Sequence, residues 1–478
     1  MGRRIGLIDT TLRDGSQCLW ATRMTTAMML PILPVMDEAG FHSIETFSTV
    51  HFDTAVRYLR EDPWERMRLI RQRVRKTPLR ILGMSQYFSI SSVLPDDVVE
   101  LFIRTCARNG IDQFWITASM NDTRTSEVSI RTVKSLGLWV EGGIQFAESP
   151  VHTDEFFVQV VREFVGLGVN GIVIKDGCSL LTPERARSLV PAVIAAAGGL
   201  PVICHSHCAT GLGPAANLEA LAQGVSAIWT ATHPLANGGS LPSADSMARH
   251  LPWLGYEVDV DPGALARISD YWYGVARRHG KPLGQPAEFD PAYYAHQMPG
   301  GMITNFEAQL AQIGMGHRLP EVLAECPQVR QELGYPNMQT PYSQFIATQA
   351  LLNILHGRYE IVLDEVRNLA LGYWGRTPGP VDPNVLDRVS RGRQPISERP
   401  GSLVPPALER VRADLGSSVS DEDVLLSIFF MPAVVDALRS AGPMPLDDPL
   451  RFSPIVEILR KASSSGKIRS FSLTQRGN

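Results

Sequence analysis

The sequence predicts a (β/α)8 barrel, an α/β TIM-barrel fold, followed by a mostly helical C-terminal domain. Three observations predict it. Short apolar, β-rich runs alternate with longer segments of helical periodicity as far as about residue 240. There are eight such runs, the number that closes a parallel barrel. Polar, chemistry-bearing residues gather at the C-terminal ends of the runs, where barrels of this kind build their sites on the βα loops.

In chain order the expected strands are Ile5 to Asp9, Ser43 to Phe47, Leu79 to Met84, Gln113 to Thr117, Trp139 to Phe146, Gly171 to Lys175, Pro201 to His205 and Ala227 to Thr232. Nearly unbroken apolar runs suit parallel strands covered on both faces. After residue 240 the β-rich runs stop, and helices are expected over Ala264 to His279, Ser343 to His356 and Glu360 to Gly372. Residues 296–305, HQMPGGMITN, read as a Gly/Pro/His-containing loop, Tyr373 to Pro405 as an extended connector, and Ser463 to Asn478 as a frayed polar end. The expected division is a catalytic barrel over 1–300 and a helical domain over 301–478.

Composition narrows the function. With 478 residues and 44% hydrophobic content the chain can build one large barrel and a second core. A formal charge of −4 and no long basic run argue against a nucleic-acid surface, which leaves small ligands. No window approaches the roughly 20 apolar residues of a spanning helix, so membrane insertion is not expected. The start, MGRRIGLIDTTLRDG, does not read as a signal peptide, and six scattered cysteines suit reduced thiols, so the expected compartment is the cytoplasm.

Four strand ends carry candidate site residues: Arg13 and Asp14 after the first run, Gln145 on the fifth, Lys175 and Asp176 on the sixth, His205 and His207 on the seventh. Residues i and i+2 of a strand face the same side, so both imidazoles can address one ion. Alone, the pair could be two hydrogen-bonded rim histidines. Asp14 and Lys175 extend it to a possible four-ligand set for a divalent cation. Lysine repels metals unless modified, so Lys175 reads either as a salt-bridged barrel lysine or as a carbamylated ligand. Cys204 alternates away from His205 and Cys208 begins a loop, so both read as packing residues rather than thiolate ligands.

DTTLRDGSQ (9–17), IKDGCSLLTP (174–183), HSHCATGLG (205–213), HQMPGGMITN (296–305) and MQTPYSQ (338–344) closely resemble the carboxyltransferase domain of pyruvate carboxylase. They resemble still more the carboxyltransferase subunits of oxaloacetate decarboxylase and transcarboxylase, and TQALLNIL from 348 and GYWGRTPGPVDP from 372 are similar to the helical domain of those subunits. The resemblance implies a metal (zinc, manganese or cobalt) held by Asp14, His205, His207 and a carbamylated Lys175. It implies that Arg13 and Gln17 donate hydrogen bonds to the substrate's carbonyl oxygen and developing enolate. It assigns Thr340 a proton relay between substrate and biotin, which a hydroxyl can perform because it donates and accepts at once. Read from the residues alone, Arg13 could brace the rim, Gln17 could cap its loop, and Thr340-Pro341 is a helix N-cap with proline at the first helical position.

Two departures from the family matter. No biotin-bearing domain with its Met-Lys-Met motif is present, so biotin is expected on a separate carrier protein, with a biotin carboxylase subunit as a further possible partner. The arginine with which pyruvate-specific members grip the substrate carboxylate aligns with Met84, and an aspartate after strand four aligns near Ala118. The expected activity is therefore biotin-dependent carboxylation or decarboxylation of a 2-oxo acid or related small acid through a metal-stabilised enolate, in a homodimer by family resemblance. The competing readings are a biotin-independent metal-dependent decarboxylase or aldol-type lyase of the same barrel superfamily, and a non-catalytic scaffold subunit.

Overall fold

The computed structural model describes residues 2–88, 93–416 and 418–447. Eight parallel strands close into a barrel: β1 (Gly6–Asp9), β2 (Ser43–Phe47), β3 (Leu79–Leu82), β4 (Gln113–Thr117), β5 (Trp139–Gln145), β6 (Gly171–Asp176), β7 (Val202–Ser206) and β8 (Ala227–Thr230). Each pairs with its neighbours in sequence, and β1 closes on β8 through Gly6 opposite Ala227 and Asp9 opposite Thr230. Every expected strand is present, shifted by a few residues at its ends.

The helices between the strands begin where the local chemistry stops the chain from continuing extended. Asp62 accepts from the amides of Trp64 and Glu65 and caps Pro63–Arg73, Thr153 caps Asp154–Gly166, and Thr182 followed by proline starts Pro183–Ala196. Gly142 shows why a strand interior tolerates glycine: a Cβ there would lie 2.5 Å from the Phe164 ring, so the helix Asp154–Gly166 could not approach β5 so closely.

Alternation along the strands turns Ile8, Trp115, Val173, Ile203 and Trp229 into one buried cluster, with a larger apolar core in contact with the surrounding helices. The charged side chains Glu45, Arg80 and Glu141 are among those also fully buried. Arg80 donates to both oxygens of Glu141 and to Gln113 Oε1.

Beyond the barrel the described residues are mostly helical. The expected helix Ala264 to His279 is Pro262–His279, capped by Asp261, and Ser343 to His356 is Tyr342–His356. Glu360 to Gly372 is shorter than expected, Asp364–Ala370. The expected connector is not wholly extended: Asp382 accepts from Asn384 and Val385 and starts the helix Pro383–Ser390, a D-P signal outweighed in the sequence by the surrounding Pro, Gly and Arg. Strand structure also recurs after residue 240, because Tyr256–Glu257 pairs in parallel with Arg3–Arg4. The expected frayed end, Ser463 to Asn478, lies outside the described residues. No helix among the described residues is long and apolar enough to cross a membrane.

Loops at the barrel mouth hold the helical region in place. Tyr342 Oη hydrogen-bonds Ser119 Oγ, which donates to the Trp374 carbonyl, while Tyr87 donates to the Tyr373 carbonyl and stacks on Trp374 at 4.7 Å.

Candidate metal centre

The centre begins with the turn after β1. Thr11–Gly15 forms one π-type turn, in which Thr10 Oγ1 accepts from the Asp14 amide and donates to Glu45 Oε2. This seats Arg13 and Asp14, 2% and 3% exposed, at the mouth. The seventh strand supplies His205, and His207 follows immediately after it.

Asp14 Oδ2 lies 3.1 Å from His205 Nε2 and 3.2 Å from His207 Nε2, and the two imidazole nitrogens are 3.0 Å apart. Donors bonded to one ion at about 2.0–2.1 Å are separated by about 2.9 Å in octahedral and about 3.4 Å in tetrahedral geometry. The triangle therefore has the dimensions of a metal-ligand face. His207 Nδ1 sits 2.8 Å from the Gly239 carbonyl, which holds the proton on that nitrogen and leaves the Nε2 lone pair for a ligand bond. No well-directed hydrogen bond reaches Asp14 Oδ2 among the described residues. Two imidazoles and a buried carboxylate oxygen that faces both of them fit a divalent ion.

The electrostatics agree. Burial alone would raise the Asp14 pKa, but Arg13 and His207 outweigh it and hold the carboxyl well below the usual range. Burial pushes His205 down to about 3, so it stays neutral. His207 rises well above its ordinary value because Asp14, and then Cys18, outweigh the cost of burying its charge. Burial and then Arg13 lower Lys175 to about 8, so the neutral amine, though still the minority near physiological pH, is far more populated than in an ordinary lysine. Lys175 stands beside His205 across the β6–β7 ladder, with its nitrogen 5.4 Å from the Trp115 ring centre.

Glu45, which no sequence motif singled out, organises the floor of the site. Its carboxylate accepts from Thr10 Oγ1, from Arg13 Nη2 at 2.9 Å, and from the indole nitrogens of Trp115 and Trp229 at 2.5 and 3.1 Å. A signal existed: an acid in the middle of the β-rich run SIETF must be buried and therefore partnered. Gln145 and Asp176, both at strand ends, are already committed. Gln145 donates to the Ala118 carbonyl at 2.6 Å, and Asp176 accepts from the Leu180 and Leu181 amides and from Ser206. Cys204 and Cys208 are buried thiols outside the candidate ligand cluster.

Gln17 is half-buried on the helix Ser16–Trp20, which follows directly on the turn that carries Arg13 and Asp14. Thr340 is exposed beside the mouth: a Cβ at Gly177, two residues past Lys175, would lie 3.2 Å from the side chain of neighbouring Gln339. The capping expectation for Thr340 is corrected. Pro341 itself occupies the cap position of Tyr342–His356 and no side chain caps that helix, so the Thr340 hydroxyl lies one residue too early to reach its first turn. Met84 is 1% exposed within the apolar core. Neither Arg80 nor Arg23 is free to replace the family's arginine: Arg80 is held by Glu141, and Arg23 lies over the Tyr58 ring at 3.7 Å.

Comparison with known proteins bears on this geometry. Residues 4–270 match the HMGL-like family and residues 293–444 the conserved carboxylase domain. The chain is 39% identical to a pyruvate carboxylase subunit from Methanocaldococcus jannaschii, over 92% of this chain and 79% of that protein. It is 33% identical to the methylmalonyl-CoA carboxyltransferase 5S subunit of Propionibacterium freudenreichii subsp. shermanii, over 92% of this chain and 89% of that one. The chain belongs to the biotin-dependent carboxyltransferase family. Within it, the 2-oxoglutarate carboxylase large subunit of Hydrogenobacter thermophilus is 31% identical, covering 93% of this chain and 71% of that protein. The carboxyl transferase domain of Rhizobium etli pyruvate carboxylase, solved with pyruvate and biocytin, superposes with a TM-score of 0.85 at 28% identity, over 92% of this chain and 78% of that one. These carboxyltransferase relatives favour the biotin-dependent reading over the biotin-independent lyase, and their activities mark the chain as an enzyme rather than a scaffold.

Proposed function

We propose that this carboxyltransferase moves a carboxyl group between biotin, delivered on a separate carrier protein, and a small carboxylic acid that passes through an enolate. The observation that carries this reading is the triangle of Asp14, His205 and His207 beside the buried Arg13, with Lys175 on the adjacent strand. Asp14, His205, His207 and a carbamylated Lys175 would hold the divalent ion. A bound ion supplies Lewis-acid polarisation of the substrate carbonyl, and biotin carries the carboxyl group.

The chain's own residues supply positioning and proton management. Arg13, anchored by Asp14 and Glu45, presents hydrogen-bond donors where negative charge grows on the substrate oxygen, and Gln17 adds an amide donor. The Thr340 hydroxyl accepts the proton leaving the substrate carbon as its own proton passes to the biotin nitrogen, so the residue ends unchanged. Trp115 and Trp229 exclude water from below the site.

Met84 sets the substrate preference. A thioether offers no donor to a carboxylate, and Arg80 and Arg23 are committed elsewhere, so an acid presenting an apolar group at this end of the site is favoured over pyruvate or oxaloacetate. The carrier, a biotin carboxylase subunit, a homodimer and a cytoplasmic setting complete the proposal. The test is metal-loaded protein with free biotin and a panel of 2-oxo acids, malonyl-type acids and their decarboxylated forms. Biotin-dependent turnover of one of them is expected; turnover unaffected by avidin would overturn the reading.

A further inference from the structure

Cys18 is the half-buried member of the six described cysteines, the other five being buried, and it faces the metal centre from the helix Ser16–Trp20. Its sulfur lies 3.4 Å from Asp14 Oδ1 and 3.9 Å from His207 Nδ1. In each residue this is the atom turned away from the triangle, which is built from Asp14 Oδ2 and His207 Nε2. The thiol therefore sits behind two ligands rather than among them.

We infer that Cys18 is a positioning residue of the metal centre: its S–H donates to Asp14 Oδ1 and so keeps Oδ2 as the oxygen offered to the ion. The inference rests on the metal-site reading above. Three observations join to carry it. Asp14 Oδ2 is buried, lacks a well-directed hydrogen bond and faces both imidazole Nε2 atoms. Asp14 Oδ1 has Cys18 as its hydrogen-bonding side-chain neighbour among the described residues. His207 Nδ1 is satisfied by the Gly239 carbonyl at 2.8 Å, so the thiol proton is not needed there and is directed to the carboxylate.

A carboxylate has two equivalent oxygens, and rotation about its last bond exchanges them at little cost unless one is held. Arg13 pulls on Oδ2 from the other side at 2.9 Å, the same oxygen the ion would use. A donor on Oδ1 opposes rotation of the group toward a bidentate grip by Arg13. Partners of metal ligands that act in this way typically change metal affinity by about 10–100-fold when removed.

The experiment is chelator competition for Co2+ with wild-type protein, Cys18→Ser and Cys18→Ala, read as the apparent Kd, alongside the Co2+ spectrum. Cys18→Ala is expected to weaken binding about 10-fold or more, and Cys18→Ser, which keeps a donor at a similar position, to stay within about 3-fold of wild type. The wild-type Co2+ spectrum should lack a thiolate-to-metal charge-transfer band. Equal affinity in all three proteins overturns the inference, as does such a band, which would make Cys18 a ligand. If Cys18→Ala fails to fold, Cys18→Val, which also lacks the donor, carries the same expected loss, and wild-type affinity in it overturns the inference. Failure of wild type itself to bind Co2+ would instead overturn the metal-site reading beneath it.

Discussion

Glu45→Gln tests the arrangement most directly, because it alters one buried charge and almost no volume. Glu45 and its partner Arg13 are 0% and 2% exposed, and Arg13 holds the Glu45 carboxylate below its usual pKa despite burial. Gln retains one acceptor oxygen but places an NH2 where the carboxylate faces the Arg13, Thr10 and indole donors. Removing one partner of a buried pair costs about 3–5 kcal/mol, since the remaining charge stays desolvated. At roughly 2 °C per kcal/mol for a large domain, the melting temperature should fall by ~6–10 °C. Arg13 keeps only Asp14 as a carboxylate partner and loses its aim, so carboxyl-transfer turnover should fall about 100-fold, the typical cost of one misplaced donor. Metal content should hold, because none of the four proposed ligands is altered. Calorimetric melting, elemental analysis and turnover with the best acid of the panel check this together. A variant that melts within about one degree of wild type with normal turnover would show that Glu45 does not organise Arg13.

Other outcomes follow from the same geometry. Purified protein should carry about one divalent ion per chain, and His205→Ala should lose it. Metal uptake should weaken as pH falls: His207 has its pKa raised, so in the ion-free site it is protonated below that elevated value and must release its proton to bind, which calorimetry in buffers of different ionisation enthalpy detects. Lys175→Ala should lose metal and activity together. In wild type, metal uptake stimulated by bicarbonate should speed up from pH 7 to 9, because an amine lowered to about 8 is increasingly neutral over that window; a bare amine in a high-resolution map of the loaded enzyme would refute the carbamate. Thr340→Ala should leave the melting temperature and metal content unchanged, since Thr340 caps no helix, yet abolish transfer to or from biotin. Met84→Arg should raise kcat/KM for pyruvate or oxaloacetate relative to bulkier acids; efficient native turnover of those two, unimproved by arginine, would show the position to be misread.

The sequence by itself determined the barrel, because short, nearly unbroken apolar runs alternating with segments of helical periodicity are local signals whose physics does not depend on distant residues. It also determined that Asp14, His205 and His207 share one mouth, because strand ends of a closed barrel have only one place to converge. Local signals misled where two competed: Asp382-Pro383 starts a helix inside a Pro/Gly-rich stretch, and Thr340-Pro341 resembles a cap that the structure places one residue too early. Only the tertiary structure decided what each polar group touches. Gln145 and Asp176 look equivalent to Lys175 in the sequence, yet they are spent on bracing loops, while Glu45 and Cys18 stand against the site from another strand and another helix. The reason is that a buried polar atom is satisfied by whichever partner the packing brings within about 3 Å, and that partner can lie far away in the chain.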